Sequence, residues 1–139
     1  MDIRFYVKFI VSLLITKFAF ADVVDVNNEQ ILELSKINIP IVDVRSISEW
    51  EQTGVIPDSI LLTFFDKEGK YNFDEWYEKL RLEIDEGKPI ILICRTGRRT
   101  KIIAKMMEIN KFDNVIYNAK SGITSWINEK LITVKPQFN

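Results

Sequence analysis

The chain has 139 residues, of which 47% are hydrophobic and 28% charged; 19 basic and 20 acidic side chains leave a formal net charge of −1. That length suits one domain, and a charge so near neutral offers no electrostatic footprint for nucleic acid. Histidine is absent and cysteine occurs once, which excludes Ser-His and Cys-His dyads, imidazole or multi-thiolate metal sites and any internal disulfide.

The first 21 residues, "MDIRFYVKFIVSLLITKFAFA", carry Arg4 and Lys8, then the apolar run Phe9 to Thr16, then Ala19-Phe20-Ala21. A basic start, a short apolar core and an A-x-A site make a secretory signal, with cleavage after Ala21; Lys17 is out of pattern. The apolar run is far short of the roughly 20 residues a membrane-spanning helix needs. The expectation is therefore a signal peptide at 1–21, one domain at 22–139, and no stable membrane insertion once the signal is removed. Export is implied, to the periplasm in a Gram-negative cell. Exported proteins usually pair their cysteines, so a lone thiol in one is a candidate for chemistry.

From residue 22 onward, short apolar runs alternate with helical patterns. "VVDV" (23–26) reads as a strand. Asn27 and Gln30 have capping-box spacing for the helix "EQILELSK", whose buried face is expected from Ile31, Leu32 and Leu34. "IPIVDV" (39–44) is β-branched and apolar like a strand covered on both faces. Ser46 and Glu49 repeat the capping spacing before a short helix around Trp50. "SILL" (59–62) is another strand, and Asn72 with Glu75 opens "EWYEKLRLEI". Gly87-Lys88-Pro89 ends that helix and leads into the apolar strand "PIILIC". "RRTKIIAKMMEIN" follows as a helix with Ile102, Ile103, Met106 and Met107 facing inward. "NVIYN" is the last strand and "GITSWINEKL" the last helix. The alternation predicts an α/β fold with a mainly parallel central sheet flanked by helices. Such sheets bind ligands at the carboxyl ends of their strands, where Cys94 lies.

"CRTGRRT" (94–100) is the stretch that carries chemistry. Gly97 permits a tight turn between strand and helix. Such a loop can point successive N–H groups inward, and the helix start adds positive potential, so an anion is its natural occupant. A cysteine thiolate is such an anion, and these surroundings lower a thiol pKa. A buried cysteine serving only as a small hydrophobe is the competing reading. Against it, Arg95, Arg98 and Arg99 crowd a helix start where cations oppose the dipole. A phosphatase loop, C-x5-R, would need arginine at position 100 to clamp a phosphoryl group. Thr100 stands there, and the last arginine comes one position early. The shorter loop suits a smaller centre, such as one sulfur atom on Cys94.

Three motifs in order resemble the rhodanese-like domains. "IVDVRSISEWEQTGVIPDSILL" is similar to the family's first motif, through Asp43, Arg45, Glu49, Trp50, Gly54, Ile56 and Pro57. "PIILICRTGRRT" resembles its active-site strand and six-residue loop, and "SGITSWINEKLITV" its closing motif, through Gly122, Trp126 and Leu131. The resemblance implies a three-layer rhodanese-like fold and a thiosulfate sulfurtransferase, with Cys94 as the nucleophile. It implies that Arg95, Thr96, Gly97, Arg98 and Arg99 bind a small anionic sulfur donor, thiosulfate or a persulfide. The acceptor would be a thiol, or cyanide in an assay, and no metal or organic cofactor is required. Asp43 and Arg45 are expected to brace the active-site loop, and Trp50 and Trp126 to sit in the core. A sulfur-carrier or binding module of the same fold is the alternative. Val55 replaces the histidine usual in the first motif, and Ser121 replaces the first glycine of the closing one.

Overall fold

The computed structural model describes residues 22–110 and 112–138; the segment read as an export signal lies outside the described residues. Strands and helices alternate: β1 (Val23–Val26), α1 (Asn28–Lys36), β2 (Ile41–Asp43), α2 (Ile47–Thr53), β3 (Ile60–Leu61), α3 (Phe73–Glu83), β4 (Ile90–Ile93), α4 (Arg98–Ile109), β5 (Ile116–Ala119) and α5 (Gly122–Asn128). The strands form one sheet in the order β1-β5-β4-β2-β3, with every pairing parallel. An isolated antiparallel bridge joins Val55 to Val134 outside the sheet.

Parallel neighbours require crossover connections, whose helices cover both faces, so the strands are apolar on both sides. In the middle strand β4, Ile90, Ile91, Leu92 and Ile93 are all fully buried. Successive side chains point to opposite faces. Ile90, Leu92 and Cys94 thus join one core layer with Trp76 and Leu80 of α3 and Ile103, Ala104 and Met107 of α4. Ile91 and Ile93 join the other, with Ile31 of α1 and Ile123 and Trp126 of α5. The layer order is helix, sheet, helix, and strand alternation alone sends Cys94 toward α4.

Local signals start the helices. Asn27 with Gln30, and Ser46 with Glu49, form reciprocal capping boxes. Asn72 accepts from the Glu75 amide, but the Glu75 carboxylate reaches one turn forward to Lys79 instead, at 2.7 Å. Two residues expected in the core lie outside it: Leu32 is 40% exposed and Ile102 is 43% exposed. On α1 the place facing α5 goes to Asn28, whose Nδ2 donates to Ser125 Oγ at 3.0 Å. On α4 the buried stripe is Thr100, Ile103, Ala104 and Met107, an i, i+3, i+4, i+7 set that leaves Ile102 off the seam. Trp50 and Trp126 are buried, as the motifs imply. Among the described residues no helix is long and apolar enough to cross a membrane.

Candidate active site

The turn from β4 to α4 places Cys94 at the carboxyl end of the middle strand, with the residue 1% exposed. Two contacts decide which way the turn faces. The Cys94 carbonyl accepts from the Ile123 amide at 2.9 Å. The Arg95 carbonyl accepts from the Thr124 amide at 3.1 Å and from Thr124 Oγ1 at 2.9 Å. These donors belong to the first turn of α5, where N–H groups have no intrahelical partner. With its carbonyls turned toward α5, the loop presents its amides to the sulfur. The Gly97 N–H donates to Cys94 Sγ at 3.1 Å, and the amides of Thr100 and Thr96 converge on it too. No side chain caps α4, so the sulfur takes the cap position at the positive end of the helix dipole. Burial pushes the thiol pKa up, but the hydrogen bonds from the loop, above all those of the Thr100, Thr96 and Gly97 amides, outweigh it. The net result is a pKa below the usual thiol range.

Two glycines make this approach possible. Gly97 has φ 90°, and a Cβ there would lie 2.2 Å from the Lys120 carbonyl oxygen. Gly122 has φ 60°, and a Cβ would lie 2.4 Å from the Arg95 carbonyl. Ser121, in the place of the motif's first glycine, has φ −110°, which any residue adopts. Its side chain therefore leaves the turn undisturbed. We expect Gly97→Ala to cost about 2–4 kcal/mol, from left-handed strain plus a clash with backbone. It should also slow alkylation of Cys94 at neutral pH, because its amide can no longer reach the sulfur. A melting curve and an iodoacetamide time course check both.

The three arginines separate in space. Arg95 and Arg98 are exposed at the loop. Arg99 is not free: its Nη1 donates to Glu49 Oε2 at 2.8 Å and its Nη2 to Oε1 at 2.6 Å, a bidentate fork. Glu49 sits on α2 and also accepts from the Ser46 amide at 3.1 Å. The Arg99 bond above all holds its pKa at about 2 against an ordinary 4.5. The expected three-cation rim is thus two exposed cations and one neutralised pair. The Arg99 fork is taken up by Glu49 and not open to a phosphoryl group, and Thr100, at the phosphatase arginine position, is buried beside the sulfur.

A carboxylate with a depressed pKa contributes stability above its unfolded pKa and loses it as pH falls through the folded one. Roughly 1–2 kcal/mol of acid-side stability, discounted for a pair that is partly in solvent, should vanish between 4.5 and about 2. In Glu49→Gln that portion of the acid-limb decline should be missing from melting temperatures measured across pH. An unchanged acid limb would show that the pair contributes nothing.

Asp43 and Arg45 occupy the other side of α2. Both are buried, at 0% and 1% exposure. Arg45 Nε donates to Asp43 Oδ1 at 3.0 Å and Nη2 to Asp43 Oδ2 at 2.8 Å. Its remaining donors go to Thr53 Oγ1 at 2.8 Å and to the Gly54 carbonyl at 3.0 Å. Direct bracing of the cysteine loop, the expectation, is not what these bonds do; they fasten the carboxyl end of α2. The loop feels them through α2, which carries Glu49 to Arg99. Val55, in the motif's histidine position, is buried and exchanges two backbone hydrogen bonds of 2.9 Å with Val134, tethering the C-terminal segment.

Glu49, Arg95, Thr96, Arg98 and Arg99 line a small polar depression at the loop. It shares Glu49, Arg98 and Arg99 with a larger groove that also involves Ile47, Phe65 and Ile102. Among the described residues no group of three His, Cys, Asp or Glu side chains is placed to hold a metal ion. Sequence reasoning overlooked two buried polar residues near the sulfur, Thr100 and Asn118. Thr100 is visible as the residue after the loop; nothing in the local pattern marks Asn118.

The geometry is that of a parallel three-layer α/β domain with one cysteine in an amide cradle at the tip of its middle strand. The rhodanese-like domain model matches residues 27–129, and the chain belongs to that family. The putative sulfur carrier protein YrkF of Bacillus subtilis is 30% identical over 89 residues, covering 64% of this chain and 42% of that protein. The chain thus spans less than half of that relative. A rhodanese-related protein from Thermoplasma volcanium has the same fold, with TM-score 0.61 and 24% identity over 81% of this chain and 99% of that one. So does the polysulfide-sulfur transferase homodimer of Wolinella succinogenes, with TM-score 0.62 and 22% identity over 87% of this chain and 85% of that one.

Proposed function

We propose that the protein is a sulfurtransferase that carries a sulfane sulfur as a persulfide on Cys94. The observation that carries this reading is the buried sulfur of Cys94 at the start of α4, accepting from the Gly97 N–H at 3.1 Å in a loop whose carbonyls are turned away toward α5. The Cys94 thiolate attacks the outer sulfur of thiosulfate or of a persulfide donor. A new S–S bond forms, the donor's S–S bond breaks, and its electron pair leaves with sulfite or with the donor thiolate. The amides of residues 95–99, with Thr100, hold the outer sulfur's negative charge. A thiophilic acceptor, cyanide in the assay and a thiol in the cell, then takes the outer sulfur and returns Cys94 as thiolate. No step needs an external oxidant, a metal or an organic cofactor. Arg95 and Arg98, exposed beside the depression, draw in the anionic donor. The tight loop favours a donor whose reacting end is a single sulfur atom.

The test is treatment of the protein with thiosulfate, followed by intact mass and by thiosulfate:cyanide turnover. A gain of one sulfur with turnover is expected. Neither gain nor turnover, with polysulfide as a second donor, overturns the reading. The burial of Cys94 and the name of the Bacillus subtilis relative favour one alternative, a sulfur carrier. A stable gain of one sulfur without turnover would establish it.

We also propose export, on the strength of residues 1–21. Asp22 already accepts a sheet hydrogen bond from the Ile116 amide at 2.8 Å, so cleavage after Ala21 would leave the sheet whole. The N-terminal residue of protein purified from its native source tests this: Met1 there would refute cleavage.

A further inference from the structure

The Thr100 hydroxyl has one proton and three acceptors around it. Asn118 Oδ1 lies at 2.6 Å, the Gly97 carbonyl at 3.2 Å and Cys94 Sγ at 3.6 Å. The orientation of the Asn118 amide decides among them. Asp25 and Asn118 are direct partners in the register of β1 and β5, so their side chains share the face covered by α4. Asn118 Nδ2 donates to Asp25 Oδ1 at 2.9 Å. A flipped amide would set its oxygen against a carboxylate, so the amide oxygen is kept toward Thr100. The proton of Thr100 therefore goes to Asn118, across the shortest contact. What faces the sulfur is a hydroxyl lone pair, which accepts from an S–H but gives nothing to a thiolate.

We propose that Asn118, held by Asp25, is a positioning residue that withholds the Thr100 proton from Cys94 and so sets how readily the sulfur ionises. For Thr100 to serve the thiolate, its hydroxyl must rotate and leave Asn118 Oδ1 unpaired in a residue only 2% exposed. The backbone amides pull the sulfur toward its charged form, and this side-chain chain pulls against them. The balance matters in both half-reactions, since Cys94 is the attacking thiolate in one and the departing thiolate in the other. This inference rests on the reading of Cys94 as the reacting group. The other charged groups near the sulfur are Arg99 with its partner Glu49 on α2, Asp43 on β2, the exposed Arg95 and Arg98, and exposed Lys120 in the β5–α5 turn. The substitutions below leave all of them in place.

The test is the pH dependence of iodoacetamide alkylation of Cys94, read by intact mass. Asn118→Leu should lower the midpoint by about one pH unit, a roughly tenfold faster reaction below both midpoints. Thr100→Val, which removes the lone pair that favours the S–H but supplies no donor to the thiolate, should lower it by much less, and Thr100→Ser should keep the parent midpoint. The Asn118→Leu/Thr100→Val double variant should match Thr100→Val alone, because Asn118 acts through the hydroxyl. Should Asn118→Leu fail to fold, Asp25→Ala decides: the side chain is exposed, and its loss frees the amide to turn, with a smaller downward shift. An unchanged or raised midpoint in folded Asn118→Leu or Asp25→Ala overturns the proposal, as does an Asn118→Leu shift that persists in the Thr100→Val background. Midpoints that shift as stated, in a protein that takes sulfur from neither thiosulfate nor polysulfide, would sink the transferase reading and leave this one standing. Sulfur transfer with unmoved midpoints would do the reverse.

Discussion

Cys94→Ser is expected to fold with a melting temperature close to that of the parent, to gain no sulfur from thiosulfate and to lose turnover entirely. The side chain lies 1% exposed between the Gly97 amide and Thr100. A serine hydroxyl is smaller and meets the same donors, so its effect on stability should stay within about 1 kcal/mol. Its effect on chemistry should be complete. The cradle lowers the thiol pKa, but an aliphatic hydroxyl starts far too high for the same amides to ionise it. An alkoxide, moreover, has no S–S exchange available to it. Because no other cysteine exists in the chain, no neighbouring thiol can substitute. Residual transfer by Cys94→Ser at anything near the parent rate would remove Cys94 from the mechanism.

The second large effect is on stability. Arg45→Met should destabilise the domain by about 3–5 kcal/mol, because Asp43 is left charged and fully buried with only the Arg45 amide, 3.1 Å away, still donating to it. For a domain of this size that corresponds to a fall of very roughly 10–20 °C in melting temperature. The physical cause can be isolated. If the stranded carboxylate is responsible, the double variant Asp43→Leu/Arg45→Met should recover most of the loss, since replacing both partners with apolar groups removes the desolvation cost. If the double variant is as unstable as the single one, lost packing and the lost ties to Thr53 and Gly54 explain the effect instead. In either case the Glu49–Arg99 pair should loosen, because Arg45 fastens the helix that carries Glu49.

These predictions draw on different parts of the molecule in how they became visible. Cys94, Gly97 and the run of arginines are adjacent in sequence, and the chemistry of a strand, a glycine turn and a helix start is local. That is why the cradle was legible. The helix starts at Asn27 and Ser46 were legible for the same reason, since a capping box closes within four residues. The strand alternation that faces Cys94 toward α4 is equally local. Leu32 and Ile102 were misjudged because apolar periodicity gives a wide stripe. Which edge of the stripe is buried depends on the neighbour: Asn28 meets Ser125 on α5, and Ala104 and Thr100 fill the seam over the sheet.

The sequence by itself determined the alternation of strands and helices, the place of Cys94 at a strand end, and the backbone freedom at Gly97. Each follows from forces acting between residues a few positions apart. Tertiary structure alone decided what surrounds the sulfur. Glu49, fifty residues before Arg99, neutralises it; the start of α5 takes the carbonyls of Cys94 and Arg95; Asn118 on β5, itself held by Asp25 on β1, reaches Thr100. Those partners are set by strand order and register. Burial selects that order for the whole core at once, and no local pattern encodes it.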